Sequence, residues 1–220
     1  MLNRKYFAEF IGTYALVFCG TGAIVIDEQF HGAVTHVGIA ITFGLIVLAM
    51  IYTFGETSGA HFNPAVTLGF AAVKRFEPGL ILPYIVSQLT GAFLATFTLK
   101  LLFPENQNLG STIPAGSASQ SLILEFILTF FLMLVILNVS QGSKEVGIIA
   151  GIAIGSVILL EAMFAGPVSG ASMNPARSLA PAVISGNTGT VWIYLLAPVT
   201  GAISASLCWQ MMNRKAKKIN

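Results

Sequence analysis

The chain carries one phrase twice, SGAHFNPAVTLG at residues 58–69 and SGASMNPARSLA at residues 169–180, a separation of 111 positions. Its residue types suit the handling of an uncharged solute. A helix start leaves about four backbone N–H groups without intrahelical partners. Proline loses nothing at the first helical position, and asparagine is a favoured N-cap. Asn63 with Pro64 and Ala65, and Asn174 with Pro175 and Ala176, therefore read as two helix starts. Within a membrane, two such starts meeting midway oppose a cation with their positive dipole ends. Their side-chain amides, by contrast, donate to a passing neutral oxygen. Gly59, Ala60 and His61, and Gly170, Ala171 and Ser172, are expected as extended chain. Carbonyls there need protein or cavity water as partners and would form a hydrogen-bonding ladder. Arg177, three after Asn174, adds a permanently charged, planar set of donors that binds oxygens and repels cations.

The other ionisable residues within apolar runs are few. Glu9 and Glu125 open matching Glu-Phe-Ile triplets. Each is expected to accept hydrogen bonds from backbone N–H groups of a re-entrant loop, the pairing a buried carboxylate needs. Glu161 adjoins Ala162 and on a helix points about 100° away from it. It either reaches the mouth of a passage or braces the segment carrying Ala171. Glu56 is expected at a span end. His61 either lines a passage or is a satisfied structural histidine. His31 and His36 fall in or near a loop, and no metal site is expected there. The sequence offers no Ser/His/Asp set, metal-ligand cluster or phosphate-binding glycine loop. An enzyme, a cofactor and a nucleic-acid partner are therefore not expected.

The elements that must carry these residues are apolar. Of 220 residues 55% are hydrophobic and 9% charged, against about 25% charged in soluble domains; the mean hydropathy is +0.81. Six stretches match the ~20 residues that cross the hydrocarbon: 7–26, 34–54, 78–99, 119–139, 146–168 and 190–212. The first lacks a small-residue cleavage site and reads as a span, not a signal peptide. Two runs of 12 residues, 62–73 and 173–184, begin at the repeated phrase and are too short to span. Cys19 and Cys208 lie in apolar runs and read as buried thiols. Gly147, Gly151 and Gly155 have the small-residue spacing of close helix packing in lipid. With six spans both termini share a side. That side holds Arg4, Lys5, Lys74, Arg75, Lys144, Arg214, Lys215, Lys217 and Lys218, nine of the eleven Lys and Arg. The bias predicts cytoplasmic termini in the plasma (inner) membrane.

Further matches point to duplication: GIAI at 38–41 and 151–154, TGA at 90–92 and 200–202. Each copy, roughly 1–110 and 111–220, has three spans, so the second is inverted within one membrane domain. Inverted repeats place a site near the midplane, where broken helices meet.

On the doubled Asn-Pro-Ala, the six spans and the repeat spacing, the chain resembles the aquaporins, the major intrinsic protein family, over nearly all its length. The resemblance implies an all-α membrane fold, six transmembrane helices plus two re-entrant half-helices in an inverted repeat. It implies a homotetramer in the lipid bilayer with a pore in each subunit. It also implies passive flux of water or small uncharged solutes, with ions and protons excluded. The family's aromatic/arginine constriction carries over onto Phe43, Ala162, Ala171 and Arg177. Water-selective members usually have histidine where this chain has Ala162, so a wider and more apolar opening is implied. Ser178 stands where glycerol facilitators have Asp. Tyr194 is aquaporin-like, and Leu195 stands where water channels tend to have Trp. The stretch FAGPVSGASMNPARSLAP at 164–181 is similar to plant nodulin-type channels and their bacterial relatives, which carry glycerol, urea and metalloid hydroxides. The alternative is a secondary transporter, which would need a coupling-ion site or proton-carrying carboxylate where this chain has two asparagines.

Overall fold

A computed structural model describes residues 3–140 and 144–213, without the side chains of 144–148. Arg214, Lys215, Lys217 and Lys218, and the packing of Gly147, therefore lie outside what is described. The described residues form eight helices and no strand: α1 (Arg4–Gln29), α2 (Thr35–Ser58), α3 (Pro64–Ala72), α4 (Pro78–Leu102), α5 (Ala118–Val139), α6 (Lys144–Ser169), α7 (Pro175–Ser185) and α8 (Val191–Asn213).

Six of these are long and apolar enough to cross a membrane. Their 22–26 residues span about 33–39 Å at 1.5 Å per residue. The short α3 and α7, of 9 and 11 residues, reach about 14 and 17 Å, half of a ~30 Å hydrocarbon core. Every long helix ends within four residues of the apolar stretch that predicts it, because the caps lie just beyond the apolar core. Asn3 Oδ1 accepts from the Lys5 N–H at 3.1 Å to start α1. Ser117 Oγ accepts from the Gln120 N–H at 3.2 Å to start α5. Large apolar side chains such as Leu45, Leu82, Phe97, Ile123, Leu160 and Leu207 are exposed, whereas Glu9, Gln88, Glu125 and Arg177 are buried. That inversion of the soluble pattern suits a lipid surround.

The order long, long, short, long occurs twice, and the packing repeats with it. α1 lies on α4 as α5 lies on α8, while α2 and α6 pack on each other. Glycines mark the close approaches. A Cβ at Gly91 of α4 would sit 2.3 Å from the Phe10 carbonyl of α1, and one at Gly201 of α8 2.4 Å from the Phe126 carbonyl of α5. Between α2 and α6 the contact is reciprocal. A Cβ on Gly44 would lie 2.7 Å from the Gly155 carbonyl, and one on Gly155 2.7 Å from the Gly44 carbonyl. This pair fixes the repeat offset at 111, the same as Ser58 to Ser169 at the two helix ends. The GIAI match, offset by 113, is therefore out of structural register by two residues.

The far end of α3 is pinned by α8. Ser206 Oγ donates to the Gly69 carbonyl at 2.8 Å and Gln210 Nε2 to the Ala72 carbonyl at 3.1 Å. These are carbonyls that a helix C-terminus leaves without intrahelical donors.

Candidate functional site at the junction of the short helices

The segments leading into α3 and α7 are not extended, contrary to expectation. Gly59, Ala60 and Phe62 have φ of +84°, +51° and +49°, and Gly170, Ala171 and Met173 have +85°, +40° and +54°. Four of these six are non-glycine residues in the left-handed region, which is costly and persists only where the surroundings enforce it. Two carboxylates do so. Alternation of the backbone turns successive N–H groups to one side, where they bind an anion. Glu9 Oε1 accepts from Ser58 Oγ at 2.7 Å and the His61 N–H at 2.9 Å. Its Oε2 accepts from the Phe62 N–H and from Gln88 Nε2, both at 2.8 Å. Glu125 Oε1 accepts from Ser169 Oγ and the Ser172 N–H, and its Oε2 from the Met173 N–H, all at 2.8 Å. Both carboxylates are wholly buried. Tyr84 Oη donates to the Ser58 carbonyl and Tyr194 Oη to the Ser169 carbonyl, at 2.9 and 2.6 Å.

With the N–H groups turned to the carboxylates, each short helix begins at its proline, one residue after an asparagine cap. Asn63 Oδ1 accepts from the Ala65 N–H at 2.8 Å. Asn174 Oδ1 accepts from the Ala176 and Arg177 N–H groups at 3.0 and 3.4 Å. The amide nitrogens cross over. Asn63 Nδ2 donates to the Met173 carbonyl at 2.7 Å, and Asn174 Nδ2 to the Phe62 carbonyl at 2.9 Å. The two helix starts are thus tied N-terminus to N-terminus. Each Nδ2 carries two hydrogens, so one remains on each amide. Pro64, Ala65, Pro175 and Ala176 are buried helix-start residues and do not line the adjacent cavity.

That cavity measures about 1220 Å³ and has Asn63 and Asn174 in its wall. The same wall includes Phe43, Ala162, Ala171 and Arg177. Arg177 is 2% exposed. Its Nη1 donates to the Gly110 carbonyl at 2.7 Å, and its Cζ sits 5.2 Å from the centre of the Phe43 ring, within cation–π range. Gly110 is itself fixed. Its φ is +67°, and a Cβ there would lie 2.8 Å from Thr21 of α1.

The profile of the family described as Major intrinsic protein matches residues 1–209. The chain belongs to the major intrinsic protein family. Aquaporin NIP1-1 of Oryza sativa subsp. japonica is 47% identical over 210 residues, covering 95% of this chain and 74% of the relative. Nodulin-26 of Glycine max is 46% identical over 218 residues, covering 99% and 80%. Among solved structures, the aquaglyceroporin of Plasmodium falciparum superposes with a TM-score of 0.84 at 27% identity, covering 94% of both chains. With its six apolar helices, the chain is a multi-pass membrane protein with the aquaporin-like inverted repeat.

Other sequence candidates fall differently. His61 combines both of its readings. Its Nδ1 pairs with Thr67 Oγ1 at 3.1 Å, its ring stacks on Phe70 with centroids 4.8 Å apart, and it lines the cavity. Gly59, Ala60 and Ser172 line the cavity too, but Gly170 does not. It backs onto Thr112, whose Cγ2 a Cβ on Gly170 would meet at 2.9 Å. Glu161 is buried and stands outside the cavity wall, and its Oε2 has no hydrogen-bond partner among the described residues. Cys19 and Cys208 are half-buried free thiols. Sequence reasoning missed Gln88, a lone amide in an apolar span that bridges Glu9 and Thr67. It also missed Gly110 and the Thr112–Ser178–Ser172 hydroxyl chain behind α7.

Proposed function

We propose that the cavity is the permeation path of a passive channel for water and small uncharged solutes. The observation that carries this reading is the abutting pair of helix N-termini, whose crossed asparagines each keep one N–H for the cavity. Two positive helix ends disfavour a cation at that point. A neutral molecule needs only to exchange hydrogen bonds. The amides donate to its oxygen. The carbonyls of Gly59, Ala60 and His61, which receive no hydrogen bond from the described residues, accept from its hydrogens.

Phe43, Ala162, Ala171 and Arg177 form the selectivity constriction in this reading. Arg177 has one guanidinium nitrogen committed to Gly110 and its charge over Phe43, leaving donors for a solute oxygen and a positive charge against ions and protons. The two alanines present only methyl groups, so the opening admits solutes larger than water, such as glycerol, urea or metalloid hydroxides. Relatives named aquaporin, nodulin-26 and aquaglyceroporin support this solute class. Glu9 and Glu125 are the loop-bracing carboxylates, and His61 and Ser172 are pore-lining. We further propose one membrane domain with halves 1–110 and 111–220, a homotetramer, and a plasma-membrane location with cytoplasmic termini. The basic residues gathered on the termini side support that orientation.

Stopped-flow light scattering on proteoliposomes tests the proposal with water, glycerol, urea, boric acid and arsenite in turn, without an ion gradient. Fast water flux together with passage of at least one of the solutes is expected. Flux no faster than in empty vesicles would remove the channel reading.

A further inference from the structure

We propose that His36 is a positioning residue for the α6 wall of the permeation path. In an α-helix the N–H of residue i donates to the carbonyl of residue i−4. Pro167 lies inside α6 and has no N–H, so the Met163 carbonyl loses its intrahelical donor. A part-buried carbonyl left so in a membrane-spanning helix is costly. His36, 127 residues away on α2, fills the gap with its Nε2 at 2.6 Å from that oxygen. A carbonyl only accepts, so Nε2 carries the hydrogen.

Room for the ring comes from the residue before the proline. A Cβ at Gly166 would sit 2.8 Å from His36 Cε1. Gly166 and Pro167 therefore act as a pair, one admitting the imidazole and the other freeing its acceptor. The arrangement is particular to this site. The prolines inside α4, α7 and α8 are Pro83, Pro181 and Pro198. The carbonyls they free, on Gly79, Arg177 and Tyr194, receive no side-chain donor among the described residues. Proline is also where a helix bends.

The consequence reaches the cavity through α6. Ala162 precedes Met163, and Ala171 follows the end of α6 by two residues; both line the cavity, as does Arg177. The His36 bond lies between them along the chain. Without it α6 is free to bend at Pro167, and the two methyl groups shift relative to the guanidinium. His36 touches no solute; it acts by holding the wall whose methyls set the opening.

The inference rests on the channel reading, and the test separates the two. Urea and water permeabilities are measured in proteoliposomes for the native protein, His36→Ala, His36→Gln, Pro167→Ala and the His36→Ala/Pro167→Ala double variant. His36→Ala is expected to change the urea-to-water ratio by about threefold or more, a size in keeping with the loss of one hydrogen bond. His36→Gln, whose amide nitrogen can occupy the place of Nε2, restores the native ratio. Pro167→Ala returns a backbone N–H to Met163, so His36→Ala has no further effect in that background. If His36→Ala alone fails to assemble, recovery of assembly in the double variant supports the proposal, and continued failure overturns it. A native ratio in His36→Ala, no rescue by Gln, or an equal effect in both backgrounds also overturns it. A native protein that conducts neither solute fails the channel reading instead.

Discussion

Asn63 does two jobs that one substitution separates. Its Oδ1 caps α3 through the Ala65 N–H at 2.8 Å, and its Nδ2 reaches the Met173 carbonyl of the opposite segment at 2.7 Å. Serine is as good a cap as asparagine, but its hydroxyl is too short to cross the junction. Asn63→Ser therefore keeps the first bond and loses the second. The lost bond and the buried carbonyl it orphans together cost about 1–3 kcal/mol. Asn63→Ala loses the cap as well, a further ~1 kcal/mol, for about 2–4 kcal/mol in all. The reciprocal bond, from Asn174 Nδ2 to the Phe62 carbonyl at 2.9 Å, shares the same junction. Neighbouring bonds of this kind couple, with interaction energies of about 0.5–3 kcal/mol. Asn63→Ser combined with Asn174→Ser is thus expected to cost less than the sum of the single changes.

Reversible unfolding in mixed detergent–dodecyl sulfate micelles, followed by Trp192 and Trp209 fluorescence, reads these differences. Water permeability of the same variants is read in proteoliposomes and is expected to fall in both single variants, because the cavity loses an amide donor in each. The reasoning is refuted if Ser proves as destabilising as Ala at position 63, or if the double Ser variant is strictly additive.

Four further outcomes follow from named contacts. Ala162→His places a ring in the constriction and is expected to lower urea and glycerol permeability about tenfold or more relative to water; unchanged permeabilities in stopped-flow assays count against the constriction assignment. Arg177→Val is expected to keep neutral flux while admitting ions, seen as conductance in planar bilayers, and full ion exclusion in that variant counts against the role given to Arg177. In Glu9→Gln the new NH₂ can face Ser58 and His61; the Ser58 hydroxyl rotates to accept and the His61 N–H is left unmatched, a loss of about 1–3 kcal/mol; Glu125→Gln, turned toward Met173 alone, is expected to cost about the same in the same unfolding assay. Gly91→Ala sets a methyl 2.3 Å from the Phe10 carbonyl, which must push α1 from α4, so a loss of about 3 kcal/mol or more is expected.

The parts of this architecture that obey local rules were legible in the sequence. Asn-Pro before an apolar run is a helix start wherever it occurs, and the two starts fall at Pro64 and Pro175. That a carboxylate in an apolar span needs buried donors follows from desolvation alone, and Glu9 and Glu125 have four and three of them. The backbone between was not legible. Ala60, Phe62, Ala171 and Met173 carry none of the usual glycine or asparagine signals for positive φ. Their conformation is imposed from α1 and α5 by the carboxylates. Gly110 was equally hidden, since its role depends on where the loop between α4 and α5 folds back to meet Arg177. His36 reads as a loop-edge residue along the chain, and only the approach of α2 to α6 reveals its acceptor.

Under the proposed constriction, the repeat offset accounts for one charged ring rather than two in a nearly symmetric protein. The α2 and α6 walls of the cavity include three pairs, Phe43 with Ile154, Val47 with Ile158 and Ile51 with Ala162, each 111 positions apart. Under the same offset Ala171 corresponds to Ala60 and Arg177 to Val66, and all of these line the cavity. The inverted copy of the set Phe43, Ala162, Ala171 and Arg177 is therefore Ile154, Ile51, Ala60 and Val66, wholly aliphatic. A strict twofold would put a guanidinium at both ends of the asparagine junction, and a solute would shed its hydration at two donor rings in series. Replacing one ring by branched aliphatics removes donor and charge together while keeping the wall packed. His61, the repeat equivalent of Ser172, returns a polar group on the aliphatic side without a fixed charge. Duplication thus accounts for the asparagine centre, which needs two equal helix starts. On the proposed constriction, the departures from duplication at these cavity-lining positions account for the filter.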